Sequence, residues 1–141
     1  MTPARWRGRI SRQVVELGWV LGMAVIDDVR SLGAELERSY TVYVRGRLKF
    51  RVGQIVYVAF SLDETVMGFG FPKEERDALV RTEPAKFHLP GESDMRFHWV
   101  EATLAALDPA EARELVVDAW RMVVPQKVAR AYDLTHPDGP G

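Results

Sequence analysis

Residues 96–132 constrain the fold most, because they contain a helix whose two ends are written in the sequence. Asp108-Pro109-Ala110-Glu111 opens it. The Asp108 carboxylate suits orphan backbone N–H groups, Pro109 suits the first helical position, and Glu111 stands where a capping box places its acid. Leu115, Val116, Ala119, Trp120 and Val123 then recur on one face, while Glu114, Asp118 and Arg121 fall mostly elsewhere. Pro125 ends the pattern, since it lacks an N–H and restricts Val124. A strand, Arg96-Phe97-His98-Trp99-Val100-Glu101-Ala102-Thr103-Leu104, precedes the helix, and residues 126–132 continue as a further turn or two. Trp120 lies on the apolar stripe and is assigned to the core.

Upstream, residues 23–39 read as another amphipathic helix, with Val25, Val29, Leu32 and Leu36 on one stripe. Gly33 weakens it locally and allows close packing on a sheet. From Tyr40 the period changes. Thr41-Val42-Tyr43-Val44 and Ile55-Val56-Tyr57-Val58-Ala59-Phe60 are β-branched and aromatic, with Gly46 and Gly53 marking turns. Both faces of 55–60 are apolar, which places that strand centrally. In 65–71, Met67, Phe69 and Phe71 share one face and Val66, Gly68 and Gly70 the other; the small residues suggest a helix or another backbone lying close. Residues 72–82 form the middle helix, with Lys73, Glu74, Glu75, Arg76 and Asp77 read mainly as a solvated face. Residues 85–89 form a short strand, and Pro90-Gly91-Glu92-Ser93-Asp94 is the clearest loop.

Residues 1–22 differ in character. Arg5, Arg7, Arg9 and Arg12 stand against Glu16, and Ile10, Val14, Leu17 and Leu21 repeat at helical spacing. The segment reads as a basic extension or amphipathic helix, with Met23 an alternative start. Glu16 interrupts its apolar run and no Ala-x-Ala site follows, unlike a signal peptide. The organisation expected is an extension over 1–22, one domain over 23–132 and a disordered tail over 133–141. The fold class is α/β (α+β): an antiparallel sheet of about five or six strands with helices mainly on one face.

Taken in order, three pieces resemble the MmcQ/YjbR family: the strand pair around Phe50-Arg51-Val52-Gly53-Gln54-Ile55, the helix from Phe71-Pro72-Lys73-Glu74-Glu75, and Ala119-Trp120-Arg121-Met122-Val123-Val124-Pro125-Gln126-Lys127-Val128. The likeness covers roughly 25–132. It implies a frataxin-like (YjbR/CyaY-like) fold and a double-wing type of DNA binding. Many members carry a lysine in the strand before the middle helix, whereas Val66-Met67-Gly68-Phe69-Gly70 has none.

Composition limits the function. The chain has 141 residues and a net charge of −1, so a polyanion would need a local patch rather than a basic whole. The absence of cysteine excludes disulfides, thiolate zinc sites and cysteine nucleophiles. Arg45, Arg47, Lys49 and Arg51 alternate with Gly46, Leu48, Phe50 and Val52, so a strand would set four cations in a row at about 6.6 Å intervals. Such a stripe suits phosphates; the plainer alternative is the outer face of an edge strand, where charge blocks edge pairing. Arg96, Arg121, Lys127 and Arg130 extend the patch if the fold brings them near. Trp99 shares a face with Glu101 and Thr103; it either packs against a further layer or stands partly exposed beside Arg96, able to stack on a base. His98 alternates with Val100 and is expected on the same face, where His88 can approach it. The histidines lack metal-ligand spacing, and no carboxylate pair or serine has a catalytic context.

The expected function is therefore non-catalytic DNA binding in the cytoplasm, with no metal, no cofactor and no membrane contact. The alternative is a protein- or small-ligand-binding module that uses the sheet face and the loop at 90–94.

Overall fold

The computed structural model describes residues 22–139. The basic segment expected over 1–22 lies outside the described residues except for Gly22.

Helix α1 (Asp27–Glu35) leads into strands β1 (Ser39–Val44), β2 (Arg47–Val52), β3 (Ile55–Phe60) and β4 (Val66–Gly70). Helix α2 (Lys73–Thr82), strand β5 (Phe87–His88), strand β6 (Trp99–Thr103), and helices α3 (Pro109–Arg121) and α4 (Gln126–Thr135) follow. The six strands form one sheet in the order β1-β2-β3-β4-β6-β5, with every pair antiparallel. Helix α1 packs on β1, β2 and α3; α3 packs on β3 and β4; α2 lies against β5 and β6. This is the α+β architecture expected.

The register separates the two faces. Phe50 opposes Val58, Val58 opposes Phe69, and Phe69 opposes Val100. All four are buried and face the helices. Rings interlock there, with Phe50 edge-on to Phe60 at 5.5 Å and Phe69 edge-on to Phe87 at 6.3 Å. Gly33 of α1 lies so close to the Phe50 ring that no Cβ fits between them. That is the close helix–sheet approach for which the sequence needs glycine. Trp120 is fully buried, and its indole N–H donates to the Glu37 carbonyl at 2.9 Å, tying α3 to the end of α1.

The helix ends follow the sequence signals in part. Asp108 caps α3 by accepting the Glu111 N–H at 2.8 Å, and Pro109 occupies the first turn. Glu111 does not complete a capping box. Its fully buried carboxylate accepts instead from Lys86 Nζ at 3.0 Å, and Lys86 also meets Glu83 at 3.1 Å. Burial pushes the Glu111 carboxyl up to about 7, with Lys86 opposing. At the C-terminus α4 runs to Thr135, and the His136 ring stacks on Tyr132 at 4.0 Å. The helix thus runs three residues past the domain boundary expected at 132. Helix α1 is shorter than the patterned 23–39, and β6 begins only at Trp99, three residues after Arg96.

Candidate ligand groove on the open sheet face

Lys49 opposes Ala59, Ala59 opposes Gly68, and Gly68 opposes Glu101 across β2, β3, β4 and β6. These residues form the face away from the core. Three features shape it into a groove of about 810 Å³. Small residues (Ala59, Gly68 and Gly70) lower its floor. Arg47 and Lys49 stand at one side, and Asp94, Phe97, His98 and Trp99 wall the other. Met122 and Val123, just beyond α3, close an end; Met122 Sδ would lie 3.8 Å from a Cβ on Gly70.

Gly68 is the pivot. A Cβ there would sit 2.7 Å from Trp99 Nε1, so the indole occupies the space that a side chain would take. At Gly68 the small-residue face of β4 accommodates a tryptophan from the neighbouring strand, whereas at Gly70 helix α3 lies close as the pattern suggested, with the Ala119 Cα 3.9 Å from where a Cβ would stand. Trp99 is half-buried and lies on the face opposite Val100, as its alternation required. Its indole N–H has no partner among the described residues.

Arg76 holds the aromatic wall. Its guanidinium donates to the carbonyls of Met95, Phe97 and Trp99 at 2.9, 3.0 and 2.9 Å. The backbone N–H of Lys73 donates to His98 Nδ1 at 3.0 Å, and Lys73 Nζ donates to the Arg96 carbonyl at 3.1 Å. The first turns of α2 thus clamp residues 95–98 outside regular strand geometry, which is why β6 starts late. The solvated face expected of α2 is broken at Arg76, which is buried. Only its three carbonyl partners reveal this, and they lie some twenty residues away in sequence.

Tyr57 stiffens the floor from below. The register of β2 and β3 shifts between Phe50 and Arg51, so Tyr57 is left over as a bulge. Its hydroxyl meets Ser39 Oγ at 2.6 Å, and Ser39 donates on to the Gly33 carbonyl at 2.6 Å. Burial pushes the Tyr57 phenol up to about 12, so it stays a neutral donor.

The basic residues separate. Arg47, Lys49 and Arg51 share the open face of β2, with Leu48 and Phe50 buried behind them. Arg45 leaves the stripe: Arg45 and Gly46 have φ of 53° and 81° and form the two-residue turn joining β1 to β2. Arg51 Nε is buried without a hydrogen-bond partner among the described residues. β2 is an interior strand, so the edge-strand reading of its charges does not apply; β1 is the edge. Arg96 lies over the Phe97 ring at 4.7 Å, near the groove mouth. Arg121 is held by Asp118 and Asp133, each at 2.6 Å. Lys127 and Arg130 are exposed on α4 and do not line the groove. Arg47, Lys49 and Trp99 are thus the three proposed contacts that the fold gathers into one concavity.

His98 is exposed rather than aligned with Val100, and His88 Nδ1 faces Glu101 at 3.6 Å. Among the described residues no group of three or more His, Asp or Glu side chains is placed to hold a metal. Nor, among them, is any helix long and apolar enough to cross a membrane.

The YjbR family model matches residues 32–122, from the second half of α1 to the end of α3. The chain belongs to the YjbR family. The span matched contains the whole sheet and every residue lining the groove except Val123. The YjbR fold is shared with a solved structure, Deinococcus radiodurans protein DR2400, assigned to the domain DUF419. The two superpose with a TM-score of 0.64 at 20% identity, over 84% of this chain and 96% of that one. No curated protein matches the chain.

Proposed function

We propose that this YjbR-family protein is a binding module without catalysis, and that its ligand is a small planar organic anion held in the open-face groove. The observation that carries the reading is the facing of Trp99 and Phe97 by Arg47 and Lys49 across a floor kept low by Ala59, Gly68 and Gly70. An aromatic wall offers a stacking surface, and two cations without ion pairs among the described residues offer an anion partner. The free indole N–H and the Glu101 carboxylate supply orientation, the first as donor and the second as acceptor. Asp94 brings the loop at 90–94 to the same rim. The experiment is a binding isotherm with anilinonaphthalene sulfonate, a planar aromatic anion. Wild type binds saturably at one site, and both Trp99→Ala and Arg47→Ala/Lys49→Ala weaken binding at least tenfold. Equal affinity in all three proteins contradicts the assignment.

A second reading rests on a separate observation, the row of Arg47, Lys49 and Arg51 on one face of β2. Such a row suits the phosphates of DNA, as the double-wing resemblance suggests. Salt separates the two readings. Each phosphate contact contributes about 0.9 to the slope of log affinity against log salt, so a three-contact stripe gives a steep fall, whereas the groove ligand depends on salt weakly.

A further inference from the structure

We propose that β1 is a pairing edge through which two copies of this chain join, antiparallel, about a two-fold axis at Val42. β1 ends the sheet, and its inner side is taken by β2 from Ser39↔Val52 to Val44↔Arg47 without a register shift. The two-residue turn makes Val44 and Arg47 a hydrogen-bonded pair, so Val44, Val42 and Tyr40 direct their N–H and C=O groups at β2. Thr41 and Tyr43 then direct theirs outward, and among the described residues these groups find no partner. Ser39 also faces out, but its N–H is given to the Leu36 carbonyl at 3.0 Å.

Sheet edges are ordinarily guarded by charge, proline or a bulge. The run Ser39-Tyr40-Thr41-Val42-Tyr43-Val44 has none of these. The opposite edge strand, β5, has only two residues. The unguarded edge is also self-complementary, which identifies the occupant as a second copy. With Val42 facing Val42 of the second copy, Thr41 pairs with Tyr43 of that copy on both sides of the axis. Every outward N–H of these residues then meets an outward carbonyl. On the open face Tyr40 stands opposite Val44 of the second copy, an aromatic–β-branched pair of the favoured kind. Both tyrosines are already fixed: Tyr40 donates to the Gly53 carbonyl at 2.7 Å, and Tyr43 meets Arg30 Nη1 at 2.9 Å. Ordering them before contact lowers the entropic cost of association. A single strand pair is a small interface, so the dimer is reversible and dilutes apart.

The test is sedimentation equilibrium of the full chain over a range of concentrations. Wild type follows a monomer–dimer equilibrium. Val42→Lys and Val42→Glu, which place like charges against each other at the axis, are each monomeric. Mixing the two restores a dimer, because opposite charges then meet. Restoration by mixing cannot arise from misfolding, and Val42→Glu is expected to keep the fold, since Lys49 faces it across β2. Wild type that stays monomeric at every concentration overturns the proposal. So does a dimer that both single variants leave intact, or a mixture that stays monomeric. The dimer contact itself uses only β1, and the readout is oligomeric state without ligand, so failure here and failure of the ligand reading remain distinguishable.

Discussion

The Trp99 indole fills the space directly over Gly68, where an added methyl would come within 2.7 Å of Nε1. Gly68→Ala must therefore displace the ring or bend β4. Such overpacking costs about 1–3 kcal/mol. The Trp99 indole N–H resonance, assigned by comparison with Trp99→Phe, is expected to shift in Gly68→Ala, and anilinonaphthalene sulfonate binding is expected to weaken. An unmoved resonance would mean that the ring does not rest on Gly68.

Arg76 should behave as a positioning residue. Arg76→Met strands three carbonyls and removes a buried charge-assisted network, at a cost of about 2–4 kcal/mol in urea unfolding. Arg76→Lys should recover little, because one ammonium cannot reproduce a planar fork that reaches Met95, Phe97 and Trp99. Full rescue by lysine would show that charge alone matters there.

Glu111 predicts a pH dependence. Its carboxyl titrates near 7 when folded against an ordinary value of 4.5, so the native state binds more protons between these limits. Stability from this group is present below 4.5 and is lost as pH rises through about 7. Subtracting the stability-versus-pH curve of Glu111→Gln from that of wild type should leave a difference that falls with rising pH across this window. A flat or rising difference would contradict the assignment.

Trp120→Ala is expected to cost about 3–5 kcal/mol, as for other large core truncations. Trp120→Phe should cost less and report mainly the lost bond to the Glu37 carbonyl. A Trp120→Ala variant that melts within a degree or two of wild type would remove Trp120 from the core.

The elements legible in the sequence were those set by local chemistry. Asp108 and Pro109 fix the start of α3, Trp120 sits on a single stripe, and the period change at Tyr40 announces the sheet. Gly33 was readable because a helical glycine facing a sheet has few other uses. The groove was less legible because it is made by pairing. Gly68 and Trp99 belong to strands thirty residues apart, and only the β4–β6 register puts the indole on the glycine. Arg76 looked like one charge among five, and its burial depends on a loop folding back over α2. Arg45 broke the alternation because the tight β1–β2 turn claims it together with Gly46.

The Trp99 indole N–H lines the open-face groove proposed as the ligand site and reports on it directly. The decisive measurement is its resonance during titration with anilinonaphthalene sulfonate at low and high salt. The expected result is a saturable shift that persists at high salt and needs at least tenfold more probe in Arg47→Ala/Lys49→Ala. A resonance that does not move while the probe binds, or that moves equally in that variant, would contradict it.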